Sequence, residues 1–154
     1  MKARVSLLFA ALCLFAAVAA AADSPFMGTW KLNDSKSKLG ANAPHNDTVV
    51  YEAAGDNVKV TVDGKDASGN PNHNEWTGKF DGKDYPVTGD AASDSRSYKQ
   101  VNAHTLAMTI KKDGKVTQTG RIVVSADGKS RTVTTTSTGS DGKKSQSKAV
   151  FDKQ

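Results

Sequence analysis

Arg96-Ser97-Tyr98 brings together the residue types best suited to holding a ligand in this chain. In an extended strand Arg96 and Tyr98 project from the same side, where a guanidinium fork and a phenol can grip a carboxylate. Arg96 fits a solvated outer position equally well, and that is the commoner place for an arginine. Trp76 and Phe80 share strand parity, and with Tyr51 and Met108 they can line one side of a lumen or fill a plain core. The ligand-binding candidates are therefore Tyr51, Trp76, Phe80, Arg96, Tyr98 and Met108.

Other chemistries lack a constellation. His45, His73 and His104 are dispersed, with neither His-x-His nor His-Glu-x-x-His spacing, so no metal site is expected. Asp66-Ala67-Ser68-Gly69-Asn70 opens like a calcium loop, but Pro71 stands where that loop needs Gly and Thr77 where it needs Glu. It reads as a turn. Ser35 and Lys38 match Ser-x-x-Lys only inside a Ser/Lys-rich stretch, and neither Gly-x-Ser-x-Gly nor a phosphate-binding Gly-rich loop is present. No catalytic residue and no cofactor are expected. The 21 Lys and Arg are interleaved with 16 acids rather than gathered into a stripe with stacking aromatics, which argues against a nucleic-acid partner.

The elements that position these side chains begin after a leader. Met1-Lys2-Ala3-Arg4 is a short basic segment, Val5 to Val18 is apolar, and Ala19-Ala20-Ala21-Ala22 offers an Ala-x-Ala cleavage site before Asp23. That is the layout of a secretory signal peptide over 1–22, and the run falls short of the ~20 residues that span a bilayer. Cys13, the single cysteine, leaves with it. A domain over 23–154 then has no disulfide, no thiolate and no integral membrane segment, and is expected to be periplasmic or secreted. Removing Lys2 and Arg4 lowers the net charge from +5 to +3. Only 20 of the remaining 132 residues are Leu, Ile, Val or Phe, too few for a large solid core.

Those few alternate. Val58, Val60 and Val62 are interleaved with Lys59, Thr61 and Asp63; Leu106, Met108 and Ile110 with Ala107 and Thr109; Trp76, Gly78 and Phe80 with Thr77 and Lys79. Period two gives each strand one apolar face. Asp-Gly-Lys recurs at Asp63, Asp81, Asp113, Asp127 and Asp141, and Asp-Gly favours a type I′ hairpin turn. Strands are expected near 27–33, 46–54, 57–66, 73–81, 84–88, 94–101, 104–112, 115–126, 129–138 and 143–152. The fold class is all-β: an antiparallel up-and-down meander of eight to ten strands closed into a barrel. Arg131 to Thr138 carries almost nothing apolar, and a barrel with a partly polar interior tolerates such a strand better than a dry two-sheet sandwich does.

Pro25-Phe26-Met27-Gly28-Thr29-Trp30-Lys31-Leu32-Asn33 resembles the first strand of the lipocalin and fatty-acid-binding-protein superfamily, with its Gly-x-Trp. Ser35-Lys36-Ser37-Lys38, Asp81-Gly82-Lys83-Asp84-Tyr85-Pro86-Val87 and Val124-Ser125-Ala126-Asp127-Gly128-Lys129 extend the likeness to small exported bacterial lipocalin-like proteins of uncharacterised function. The resemblance implies a calycin-type barrel in which Gly28 and Trp30 close one end beneath a basic side chain, supplied by Arg121 or Arg131. Two departures weaken any transfer of ligand. Asp34 to His45 is too short for the two-helix lid of fatty-acid-binding proteins, and Lys148-Ala149-Val150 stands where their Arg-x-Tyr lies. The expected activity is reversible binding of a small apolar or amphipathic molecule in the lumen, without catalysis, by a monomer. The alternative is a periplasmic protein-interaction or inhibitor module acting through its surface and hairpin tips.

Overall fold

The computed structural model describes residues 24–41, 43–139 and 141–154, so the leader expected over 1–22 lies outside it. Ten strands follow one another: β1 (Gly28–Leu32), β2 (His45–Ala54), β3 (Asn57–Lys65), β4 (Pro71–Gly78), β5 (Tyr85–Thr88), β6 (Ser95–Asn102), β7 (Thr105–Lys112), β8 (Lys115–Val124), β9 (Ser130–Thr138) and β10 (Lys144–Lys153). Each pairs antiparallel with its neighbours in sequence, and β1 also pairs β10, closing the barrel. Trp30 marks the seam, opposite Val49 of β2 on one side and Lys153 of β10 on the other. Closure leaves no unpaired sheet edge to protect.

The alternation seen in the sequence is the inward face. Val58, Val60, Val62, Leu106, Met108, Ile122 and Val124 are all buried, whereas Arg121 and Val123 are exposed on the outside of β8. β9 turns Arg131, Val133, Thr135 and Ser137 towards the lumen, a mostly polar inner face of the kind expected from its composition.

The turns correct one expectation. Only Asp113-Gly114 has both residues at positive φ, the type I′ signature, and it joins β7 to β8 directly. At Asp81, Asp127 and Asp141 only the glycine is left-handed, and the Asp carboxylate accepts the N–H of the Lys two residues on, at 3.0 Å in each case. Asp63-Gly64 is no turn. It lies within β3, where the register with β2 is irregular between His45 and Thr48, and a Cβ on Gly64 would collide with the His45 carbonyl oxygen. Glycine is there for close backbone approach rather than for reversal. The β3–β4 reversal falls instead at Asp66–Asn70, where Asp66 Oδ1 accepts the Ser68 and Asn70 N–H groups at 2.8 and 2.9 Å.

Alternate connections lie at opposite ends. One end carries the N-terminal segment and the β2–β3, β4–β5, β6–β7 and β8–β9 connections. The other carries β1–β2, β3–β4, β5–β6, β7–β8 and β9–β10. The first end is filled with side chains and the second opens into a cavity.

Candidate functional site

The filled end is built on Trp30. Its indole Nε1 donates to the Phe26 carbonyl at 2.9 Å, and both residues are fully buried. Gly28, two residues before it at the start of β1, has φ 105°. The guanidinium carbon of Arg131 lies 5.1 Å from the Trp30 ring, 4.9 Å from Tyr51 and 4.6 Å from Phe151, and the Lys153 ammonium lies 5.2 Å from Trp30. These are cation–π distances. Of the two arginines named for this position, Arg131 occupies it. Arg121 sits one residue out of phase with Ile122 and Val124, so it points to solvent.

Above that plug lies an aromatic floor. Trp76 stacks on Phe80 at 6.4 Å and meets Tyr98 edge-on at 4.8 Å, and Tyr51 meets both Phe80 and Tyr98 at 6.5 Å. Trp76 Nε1 donates to the Arg96 carbonyl at 2.8 Å. Trp76 and Phe80 thus underlie the cavity instead of lining it, which corrects their placement as lumen residues. Parity gave Trp76 its side of the sheet but not its depth along the barrel, and Phe80 lies past the end of β4 in the connection to β5.

The cavity itself measures about 520 Å³ and opens between the second set of connections. Tyr51, Arg96, Tyr98, Met108 and Arg131 form part of its wall, so four of the six proposed ligand-binding residues meet there. Sequence reasoning missed Val49, Val62, Ile110, Ile122 and Val133, the apolar belt. It also missed Asn74, Thr135 and Ser137, the polar part of the same wall. Val62 and Asn74 were detectable, since they share parity with Val60 and Trp76. Asp90 and Ser93 come from the β5–β6 loop, where no periodicity points inward.

Arg96 is buried, not solvated. Its Nη1 donates to the Tyr98 hydroxyl at 3.4 Å and its Nη2 to Asn74 Oδ1 at 3.3 Å, with the Asp90 carboxylate 3.9 Å away. Burial works against its charge, but Tyr98, Tyr51 and Asp90 outweigh that, and its pKa is raised. Burial, reinforced by Tyr98, pushes the Tyr51 phenol well above its ordinary range despite the pull of Arg131, so it remains a neutral donor. Among the described residues no cluster of three or more metal-ligating side chains occurs, and no helix is long and apolar enough to cross a membrane.

Ten antiparallel strands wound in sequence order around an open lumen, with a Gly-x-Trp plug under an arginine, define a calycin-type barrel. The chain is similar in structure to EF1p2_mFAP2b bound to DFHBI, with a TM-score of 0.50 and 11% identity, covering 87% of this chain and 98% of that one. A second similar structure is a redesigned beta barrel, mFAP1, bound to DFHBI, with a TM-score of 0.48 and 13% identity over 84% of this chain and 95% of that chain. At such identities the likeness is one of fold. No protein-family model matches the chain, and no curated protein does.

Proposed function

We propose that this protein is exported, acts as a monomer, and binds a small apolar or amphipathic molecule reversibly in its lumen without transforming it. The observation that carries the reading is the cavity of about 520 Å³, within the ~300–1,000 Å³ typical of small-molecule sites. The wall combines apolar Val49, Val62, Met108, Ile110 and Ile122 with polar Asn74, Thr135 and Ser137, which suits a ligand with an apolar part. The structurally similar EF1p2_mFAP2b, solved bound to DFHBI, adds support for a small-molecule ligand. Export rests on the leader: fractionated cells should hold the protein outside the cytoplasm, with an N-terminus near Asp23.

Native mass spectrometry and thermal shift of protein purified from its own host test the binding. A copurifying molecule recovered unchanged, or a melting temperature that rises with ligand concentration, is the expected result. A bare protein whose melting temperature ignores a broad lipid panel would end the reading.

A further inference from the structure

The charges that the sequence interleaves are separated by the fold. β7 to β10 carry a single acid, Asp152, and it is engaged by the Asn33 amide at 2.6 Å and by Lys36 at 3.5 Å. The other acids of this stretch, Asp113, Asp127 and Asp141, stand in hairpin turns, where the last two accept backbone N–H groups. On β2 to β4, by contrast, acids and cations are matched: Lys59 lies 2.6 Å from Glu75, and His73 pairs with Asp63.

Register lines up the unmatched cations. Ala107 lies opposite Arg121, Arg121 opposite Thr134, Thr134 opposite Lys148, and Lys148 opposite Lys38 in an isolated bridge. Arg121, Lys148 and Lys38 are all exposed, and among the described residues none has an ion-pair partner. Lys38 and Lys148 are direct neighbours, joined by backbone hydrogen bonds of 2.7 and 2.8 Å. Like charges directly opposite on a sheet repel, and here no described carboxylate offsets them. At ~4.8 Å between strands, the three cations extend over roughly 15 Å, a span suited to a repeating polymer rather than one small anion.

Toward the mouth runs a second outward row, Thr109, Thr119, Thr136 and Gln146, uncharged and rich in hydroxyls. Past it β8 and β9 part: their pairing ends at Gln118 and Ser137, while β8 reaches back to Lys115 and β9 on to Thr138. The gap is a notch of about 170 Å³ whose wall includes Thr117, Thr119, Thr136, Thr138 and Lys144. Cations flanking a band of hydroxyls match a chain that itself carries oxyanions and hydroxyls. No aromatic side chain stands in either row, which leaves nothing for bases to stack on and no anchor for a lipid interface.

We infer that the outer face of β7–β10 docks an acidic polysaccharide. Lys38, Lys148 and Arg121 follow its oxyanions, the threonines meet its hydroxyls, and the β8–β9 notch takes up a sugar ring. This surface lies across the sheet from the lumen, so it holds or fails independently of lumenal binding.

Biolayer interferometry tests it with four probes: dextran sulfate, polygalacturonate, uncharged dextran, and phosphatidylglycerol vesicles. The two acidic polymers are expected to bind and dextran is not, with affinity falling about tenfold or more between ~50 and ~200 mM salt as counterions are released. Changing Lys38, Lys148 and Arg121 together to Gln should weaken binding about tenfold or more. Removing the same charge elsewhere, with Lys65, Lys79 and Lys83 together changed to Gln, should leave it within about twofold. The melting temperature of the first variant should hold or rise, since a repulsive pair is lost, and this separates lost binding from lost folding. Should that variant fail to fold, Arg121→Gln alone should weaken binding about threefold. An equal loss in both triple variants overturns the assignment, because net charge then drives binding. Dextran binding as tightly as the acidic polymers overturns it too. Vesicle binding without polymer binding overturns it in favour of a membrane surface, and failure of every probe overturns it outright.

Discussion

The two ends of this barrel are made from the same strands and obey different rules. At the filled end, Phe26, Trp30, Val60, Trp76 and Leu106 are essentially inaccessible to solvent, and the two indole N–H groups are spent on backbone carbonyls. At the open end β4, β9 and β10 present Asn74, Thr135, Ser137 and Ser147 to a cavity. A chain with only 20 Leu, Ile, Val and Phe over residues 23–154 cannot fill a ten-stranded barrel from end to end. It concentrates its large side chains at one end and leaves the other hollow. The lesson is that stability and binding capacity are separated along the barrel axis, which makes them separately breakable.

The largest expected effect therefore lies at the filled end. Trp76→Ala deletes a ring 1% exposed, its contacts with Phe80, Tyr85 and Tyr98, and its bond to the Arg96 carbonyl. A loss of ~3–5 kcal/mol is expected for such a truncation, a large part of the ~5–15 kcal/mol that holds a typical domain. Urea unfolding with an unchanged m-value checks it. A loss below ~1 kcal/mol would mean the aromatic floor is not the stabilising core.

Gly64→Ala tests a backbone constraint at the open end. The new methyl would meet the His45 carbonyl, so the β2 bulge must shift, at a cost expected to be ~1–3 kcal/mol. Faster amide exchange confined to Asn46–Thr48 and Asp63–Lys65 would localise the damage. Uniform loss across the barrel would show that the two ends are coupled more tightly than the packing suggests.

Those residues also show what was legible. Alternation at Val58–Val62, Trp76–Phe80 and Leu106–Ile110 placed those strands because a closed barrel buries one face of each, whereas β9, whose inner face is mostly polar, had to be placed from its flanking turn residues. Asp63-Gly64 was misread because a dipeptide looks the same whether it reverses the chain or lets another backbone pass; the His45 carbonyl is a neighbour only in space. Arg121 could have been placed by its phase against Ile122 and Val124, but Val123 between them hides the alternation. Arg131 and Arg96 share parity with Val133 and Tyr98, and charge argued wrongly for putting Arg96 outside. Depth along the axis, which separates Trp76 from Tyr98 as floor and wall, follows from strand tilt and register and leaves no trace in period two.

A smaller effect tests the clasp at the mouth. His45 stands at the start of β2 beside Pro44 and Asn46 of the cavity wall, with Nε2 2.8 Å from Asp34 and Nδ1 2.8 Å from Asp47. The hydrogen bond to Asp34 raises its pKa, burial opposes that, and Asp47 adds to the rise. A raised histidine pKa gives stability that is full below about 6.5 and is lost as pH climbs through the folded-state value. The pairs are solvent-exposed, so the effect is modest. The melting temperature should therefore fall between pH 6 and pH 8 by slightly more in the native protein than in His45→Gln. Identical pH profiles would mean the clasp contributes nothing to holding the mouth.

Thr135→Val carries the least expected change in stability and the sharpest statement about the hollow end. Thr135 is 9% exposed yet faces the cavity, four residues from Arg131 on the same inner face. In a filled core, exchanging its hydroxyl for a methyl would disturb hydrogen bonding and packing together. In a cavity the methyl meets space, so stability should stay within ~0.5 kcal/mol, as for an ordinary surface change. The gain appears in binding: a methyl enlarges the apolar part of the cavity wall, and alkyl ligands that touch it should bind a few-fold more tightly. If stability instead drops by a kilocalorie or more, Thr135 belongs to the packed interior. The boundary between the two ends would then have to be moved toward the mouth.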